Sequence, residues 1–284
     1  MEYQSNHSLL FPPIIENEDA ADINLMPYLT NRDPVFSFID PFGYVGTSAE
    51  RIWNLVKNIG SDCIFFFNAN RILMDLNKVN KEYDFMRIFG GEYSALQDGL
   101  KAEGKHHKKM SMVLDAFSKN LIGIVQTQAF KYQLYILPFG FSFDDRDKDS
   151  HYLLFITKNH KAVMTMKKVM SKFATTISEI YSFDSKVVNQ LSLFNIEDDG
   201  YSNFVKFTKR FSKKINNKEW RVNEFCKALD DLSMKSFYKV TPFTMNDIKR
   251  YLRRGFDEGR VICDDKFRPN EIFSEKWAFE LRES

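Results

Sequence analysis

The stretch VFSFIDPFGY, residues 35–44, joins a short apolar run to an abrupt break at its Asp-Pro step. The residues before the break are nearly all apolar, which is typical of a strand buried on both faces of a parallel sheet. A helical pattern follows, with Thr47 or Ser48 as the predicted N-cap and Gly60 as the predicted stop. A second apolar run, CIFFF at residues 63–67, predicts another buried strand. Strand, helix and strand joined by tight loops predict a βαβ unit, and therefore an α/β fold.

Composition divides the chain into four stretches. Residues 1–33 are polar and irregular and are predicted to form an arm, and residues 34–181 are predicted to form the α/β core. Residues 182–219 are polar and basic, which predicts a linker with helical pieces. Residues 220–284 contain two amphipathic helical patterns, then a short strand and a turn. Their order is the outline of a winged helix-turn-helix domain.

Two further apolar runs of the predicted core flank an acidic turn. Residues 133–143 and 151–157 have the composition of strands, and residues 144–149 between them read DDRDKD. This arrangement predicts an antiparallel hairpin, which we expect at the edge of the sheet.

Positive charge is concentrated in the C-terminal part of the chain. The formal net charge of all 284 residues is only +2, but residues 201–260 contain 15 Lys and Arg against 7 Asp and Glu. Such a local excess attracts polyanions. Three widely spaced cysteines argue against a disulfide framework. The sequence has neither a signal-peptide pattern nor a membrane-length apolar window, so we expect a cytoplasmic protein without a membrane partner.

Asp40, Phe42 and Tyr44 are the candidate catalytic residues. They follow the first predicted strand, and ligands of open α/β sheets bind outside the carboxyl ends of strands. A carboxylate there can accept a hydrogen bond from an exocyclic amine, and an aromatic ring can stack on the base. The alternative is structural: Asp40 caps a helix and the following residues form only a sharp turn.

Asn68, Asn70 and Arg71 are candidate substrate-binding residues, because they follow the neighbouring strand and would face the same crevice. Amide and guanidinium groups can hydrogen-bond a base, a ribose or a phosphate. The alternative is that they solvate a loop. We predict no metal site, since His106 and His107 lie in a basic run without a carboxylate or cysteine at ligand spacing.

Four basic residues recur at i and i+4 on the second predicted helix of the C-terminal domain. They are Lys249, Arg250, Arg253 and Arg254. This spacing places them on one face, while Ile248, Leu252 and Phe256 are expected to face the core. A basic face on such a helix is suited to nucleic-acid phosphates. The alternative is a basic face that is only solvated.

Residues 36–44, FSFIDPFGY, resemble the signature strand and loop of three-Cys-motif partner proteins. Residues 151–160, HYLLFITKNH, and the Met-rich helical pattern through Met170 are similar to a second block of that family. The resemblance covers roughly residues 35–173. It implies a Rossmann-like, methyltransferase-type core. The Asp-Pro loop is also related to the Asp/Asn-Pro-Pro-aromatic loop of amino-group methyltransferases, with Phe42 at the second proline position and the aromatic displaced to Tyr44.

The same resemblance implies S-adenosylmethionine as cofactor, bound at a Gly-rich loop in an earlier half of the sheet. No Gly-rich loop precedes Asp40 here, because the first glycine is Gly43. The cofactor therefore stays open, and we expect either a truncated chain or a scaffold without the cofactor half. The leading hypothesis is a degenerate or truncated nucleic-acid methyltransferase. The alternative is a non-enzymatic nucleic-acid-binding or scaffold partner in a mobile-element or phage-defence system, with a protein partner encoded nearby.

Overall fold

The computed structural model describes most of the chain beyond residue 33. The described residues are 18, 29, 33–41, 44, 47–76, 78–128, 133–142, 151–177, 179–184, 193–215, 219–259, 261–263 and 277–281. Phe42 and most of the predicted arm, residues 1–33, lie outside this set.

The first part of the chain alternates strands and helices. Its strands are β1 (Phe36–Ile39), β2 (Asp62–Phe67), β3 (Tyr135–Ser142), β4 (His151–Thr157), β5 (Thr176–Ile177) and β6 (Tyr181–Asp184). Its helices are α1 (Ala49–Val56), α2 (Ala69–Asp75), α3 (Glu82–Phe89), α4 (Tyr93–Ala102), α5 (His106–Thr127) and α6 (His160–Phe173), with single 3-10 turns at Val79–Lys81 and Gly90–Glu92.

These strands form one open, mixed sheet in the order β1-β2-β4-β3-β6-β5. The pairs β1–β2 and β3–β6 are parallel, and the remaining pairs are antiparallel. The α/β prediction and the parallel first pair are therefore confirmed. The hairpin β3–β4 is also present, but it lies in the middle of the sheet, so its predicted edge position is wrong. A turn specifies the inner pairing of a hairpin, whereas its outer edges are paired by strands that are distant in sequence.

β1 is less buried than its composition predicts. Phe36 and Phe38 are 64% and 63% exposed, whereas Ile39 packs against the main hydrophobic cluster. Side chains of a strand alternate between two faces, so only one face of β1 meets the core. In the described part of the chain, β1 is paired on one side only, by β2. The prediction of a strand buried on both faces is wrong here, because an apolar run does not indicate what covers it.

Helix α1 begins where its capping signal predicts. Of the two candidate caps, Ser48 is the N-cap, and its side chain accepts a hydrogen bond from the Arg51 amide at 3.1 Å. The helix ends before Gly60, whose φ of +77° lies in the left-handed region that glycine adopts without strain. This short helix returns the chain so that β2 begins beside β1, in parallel.

The C-terminal part of the chain begins with a long helix. Its elements in chain order are α7 (Leu193–Arg210), α8 (Ser212–Ile215), β7 (Glu219–Trp220), α9 (Val222–Phe237), α10 (Met245–Asp257), β8 (Val261–Cys263) and β9 (Trp277–Leu281). The three strands form an antiparallel sheet in the order β7-β9-β8. The range 182–219, predicted as a linker, therefore holds an 18-residue helix.

This helix belongs to a second hydrophobic cluster. Phe204 of α7 contacts Phe243 and Tyr251 with ring centroids 5.5 and 5.4 Å apart. The polar composition of α7 obscured this role, because its buried aromatic residues occupy one narrow face between basic residues.

The buried face of α10 is shifted from the predicted one. Ile248 and Leu252 are buried as predicted, and Tyr251 and Gly255 complete this face at spacings of three and four residues. Phe256 is 36% exposed, so its predicted core position is wrong. At 3.6 residues per turn, position 256 lies at the rim of the face and position 255 lies on it.

Candidate functional site

The carboxyl ends of β1 and β2 bring two of the predicted site residues to one sheet edge. Asp40 directly follows β1 and is exposed, and Asn68 directly follows β2. The two strands are parallel, with Ile39 paired to Phe65, so both ends point the same way. Asn68 is the N-cap of α2, because its side chain accepts a hydrogen bond from the Arg71 amide at 2.9 Å.

Tyr44 is not placed for stacking on a ligand. The side chain is 3% exposed, and its ring stacks on Phe85 with centroids 5.0 Å apart. Its hydroxyl donates a hydrogen bond to Asp75 at 3.1 Å. Burial, followed by the hydrogen bond to Asp75, raises the pKa of Tyr44, so the phenol stays protonated and donates. Tyr44 therefore contacts Phe85 and Asp75 in the core and does not present its ring to a base, because burial of an aromatic ring is more favourable than its exposure.

Asp75 connects this anchor to two cations. Its carboxylate lies 3.2 Å from the Arg71 guanidinium and 2.5 Å from the Lys78 ammonium. The hydrogen bond from Lys78 is the main cause that holds the pKa of Asp75 below its usual value. Arg71 is thus engaged within its own helix, although 54% of its side chain remains exposed. Asn70 is half-buried on the same helix.

Asp40 is an exposed carboxylate at this edge. Its side chain is exposed, and it has no hydrogen-bond or ion-pair partner among the residues that the structure describes. Helix α1 is capped by Ser48, so the alternative role of Asp40 as the cap of that helix is excluded. An unpaired carboxylate at a strand end can accept a hydrogen bond from an amine.

The basic residues of α10 lie on its solvent side, but they are not equivalent. Arg250 lies 3.0 Å from Asp247, and Arg254 lies 3.0 Å from Glu258. The Arg254 guanidinium also sits 4.3 Å from the ring centroid of Tyr201 on α7. Two of the four charges are therefore partly compensated by carboxylates of the same helical segment.

Lys249 and Arg253 complete this face. Lys249 is half-buried, and Arg253 is exposed without a hydrogen-bond or ion-pair partner in the part of the chain that the structure describes. Thr244 begins the helix with a capping box that includes Asp247. The antiparallel pair β8–β9 directly follows this helix in the chain.

A buried polar network joins the two parts of the chain, and the sequence analysis missed it. Lys167 of α6 and Asp230 of α9 are both fully buried, with ammonium and carboxylate 2.7 Å apart. His160 Nε2 lies 2.9 Å from the same carboxylate, and the Thr241 hydroxyl donates to it at 2.7 Å. Burial disfavours the carboxylate, yet the charge of Lys167 and these hydrogen bonds hold the pKa of Asp230 below its usual value.

A periodicity signal could have revealed this network. Lys167 falls at a spacing of four and three residues from Val163 and Met170, the buried face of α6. Asp230 falls on the face of α9 that carries Cys226 and Leu229. A charged residue at an apolar position of an amphipathic helix indicates a buried partner.

Other features of the described residues bear on the class of protein. They contain no group of three or more His, Cys, Asp or Glu side chains that could hold a metal ion. None of the described helices is both long and apolar enough to span a membrane. Comparisons of the chain with protein-family models, with curated proteins and with solved structures found no match.

Proposed function

We propose that the chain handles nucleic acid, and that residues 193–281 act as a winged helix whose α10 contacts phosphates. The exposed basic face of α10, directly before the β8–β9 hairpin, carries this proposal. The order of elements supports it, with β7 before the helix pair α9–α10 and the strands β8 and β9 after it, as does a three-stranded sheet in which β7 pairs with β9. In winged helices of this order the second helix of the helix-turn-helix is the recognition helix.

The test is the salt dependence of binding, measured by fluorescence anisotropy on labelled duplex and single-stranded oligonucleotides. Each phosphate contact contributes a slope of about 0.9 log units of affinity per log unit of salt. Arg253→Gln removes an uncompensated charge, so we expect the slope to flatten by about that amount with little change in sequence preference. Arg250→Gln is a weaker test, because it also frees Asp247, a carboxylate that repels phosphate.

Lys168→Gln is the matched control. Lys168 is exposed on α6 and has no ion-pair partner among the described residues, so its substitution removes one uncompensated charge far along the chain from α10. Its salt slope should equal that of the wild type. Salt-independent affinity of the wild type, or equal flattening by both substitutions, contradicts a phosphate contact on α10 and favours a scaffold role.

A second candidate function, a methyltransferase-like activity, is favoured by the α/β part. The resemblance implies a Rossmann-like, methyltransferase-type core, and the open α/β sheet with its parallel pair β1–β2 is compatible with such a core. Asp40 then stands at the strand end where an amine of a base would be held. Isothermal titration with S-adenosylmethionine separates the two candidates. Tight binding favours an enzyme, and its absence in this chain favours a binding module of the three-Cys-motif partner type.

A further inference from the structure

A basic, aromatic cavity lies between α7, α9 and the segment that follows α9. Its volume is about 190 Å³, and it is distinct from both the exposed face of α10 and the sheet edge at Asp40. Residues 203, 206, 207 and 210 of α7 line it, a spacing that places them on one face of the helix. From α9, Phe237 lines it, and Phe243 closes it from the following segment.

Aromatic rings form the apolar part of the cavity. The Phe207 ring centroid lies 6.2 Å from that of Phe237 and 6.4 Å from that of Phe243. Phe243 is fully buried, and Phe207 and Phe237 are half-buried. Small-molecule sites are mostly apolar cavities with a few convergent polar groups. Pockets for drug-sized ligands measure roughly 300–1,000 Å³, so this smaller cavity suits one planar ring system.

Three cations surround these rings. Lys206 and Arg210 are exposed at the rim, and the Arg210 guanidinium lies 4.7 Å from the Phe237 centroid, an arrangement that orients it. Lys239 is buried and faces Asp115 at 3.4 Å and Glu179 at 3.7 Å. Both distances exceed the roughly 2.7–2.9 Å of a strong charge-assisted hydrogen bond. Glu179 is the single carboxylate in the lining, so the lining is net positive.

We propose that this cavity binds a nucleotide unit, with the planar base against the aromatic rings and the phosphate on Lys206 and Arg210. Every base has a π-face, and stacking on aromatic side chains contributes about 1–3 kcal/mol per base. Guanidinium and ammonium groups are the usual phosphate partners. The unit is either a free mononucleotide or a nucleotide of a single strand. This site uses none of the α10 residues, so it stands independently of the proposed phosphate contacts there.

Isothermal titration of the full chain with AMP tests the proposal, with adenosine and ribose 5-phosphate as half-ligands. Lys206→Gln/Arg210→Gln should weaken AMP binding about tenfold or more, because both charged partners of the phosphate are lost. The matched control is Lys209→Gln/Lys213→Gln. These lysines are exposed on α7 and α8 and do not line the cavity, so the charge loss is identical while AMP affinity should stay unchanged.

The two sources of the nucleotide are separated by competition. Displacement of AMP by a single-stranded oligonucleotide assigns the cavity to a strand, and failure to displace it assigns the cavity to a free nucleotide. Arg253→Gln should leave AMP affinity unchanged, which keeps this result separate from the test of α10. The proposal is overturned if the wild type does not bind AMP, or if the two double variants lose affinity equally.

Discussion

Lys158 lies at the end of β4, where its ammonium group donates to the carbonyl oxygens of Lys57 and Asn58 at 2.6 and 2.5 Å. Burial lowers the pKa of Lys158 from 10.5 to about 8, and the charge of Asp62 opposes this shift. Two N–H groups remain in the neutral amine, enough for both carbonyls. Between these pH values Lys158 binds its proton more readily in the unfolded chain than in the folded one, so the contribution of Lys158 to stability should rise with pH.

We predict that Lys158→Met removes this rise in the free energy of unfolding between pH 8 and 10.5. Urea unfolding at a series of pH values measures it. Lys161→Met is the control, because Lys161 is exposed on the neighbouring helix, and its pH profile should match that of the wild type. Identical pH profiles of Lys158→Met and the wild type would show that Lys158 is not desolvated.

Asp40 is expected to affect binding more than stability. Its side chain is exposed and caps none of the described helices, so Asp40→Ala should change the free energy of unfolding by less than about 0.5 kcal/mol. Adenine and cytosine present an exocyclic amine, and thymine does not. If Asp40 accepts that amine, the substitution should reduce the preference for adenine and cytosine oligonucleotides over thymine by about 1–3 kcal/mol. Asp98→Ala removes another exposed carboxylate and should not change this preference.

At the scale of the elements, the contact of α7 with α10 depends on Gly200. A Cβ at this position would overlap the hydroxyl oxygen of Tyr251, which is buried and carried on a rigid ring. Gly200→Ala should therefore cost about 1–3 kcal/mol of stability through overpacking, despite the higher helix propensity of alanine.

Gly123 of α5 provides the contrast, since no atom outside the adjacent backbone of its own helix lies within 4 Å of a Cβ built there. Gly123→Ala should stabilise the protein by about 0.4–1 kcal/mol. Thermal melting of both variants measures the difference. Stabilisation by both substitutions would mean that α7 and α10 are not in this close contact.

At the scale of the whole molecule, α6 connects the two hydrophobic clusters. Val163 and Met170 belong to the cluster of the α/β part, whereas Met164 packs against the C-terminal cluster. The buried pair Lys167–Asp230 adds a polar link across the same boundary. Removal of one partner of a buried pair leaves an uncompensated charge in a low-dielectric environment.

We predict that Lys167→Met costs about 3–5 kcal/mol of unfolding free energy. Lys227→Met is the control, because it breaks the exposed pair with Asp231, whose atoms lie 2.6 Å apart, and should cost at most about 1 kcal/mol. Denaturant unfolding followed by Trp fluorescence and far-UV circular dichroism measures both. Equal, small losses would indicate that water reaches Asp230.

Local signals sufficed for much of this fold. Ser48 caps the helix predicted to begin there, and the predicted apolar runs before Asp40 and at residues 63–67 form the parallel strands β1 and β2. A cap, a turn or a short periodicity involves neighbours within a few residues, so the sequence contains the complete information. The same holds for the basic face of α10, since its i and i+4 spacing is a property of any helix.

Tertiary structure alone decided the features that depend on distant partners. It placed the hairpin β3–β4 inside the sheet, left Phe36 and Phe38 exposed, and buried Tyr44 against α3. It also paired residues that are 63 positions apart in the Lys167–Asp230 network. The sequence pattern indicates whether a side chain prefers burial. The stability of an unpaired strand edge or of a buried charge, however, depends on which distant group faces it. That choice is made only when the whole chain packs.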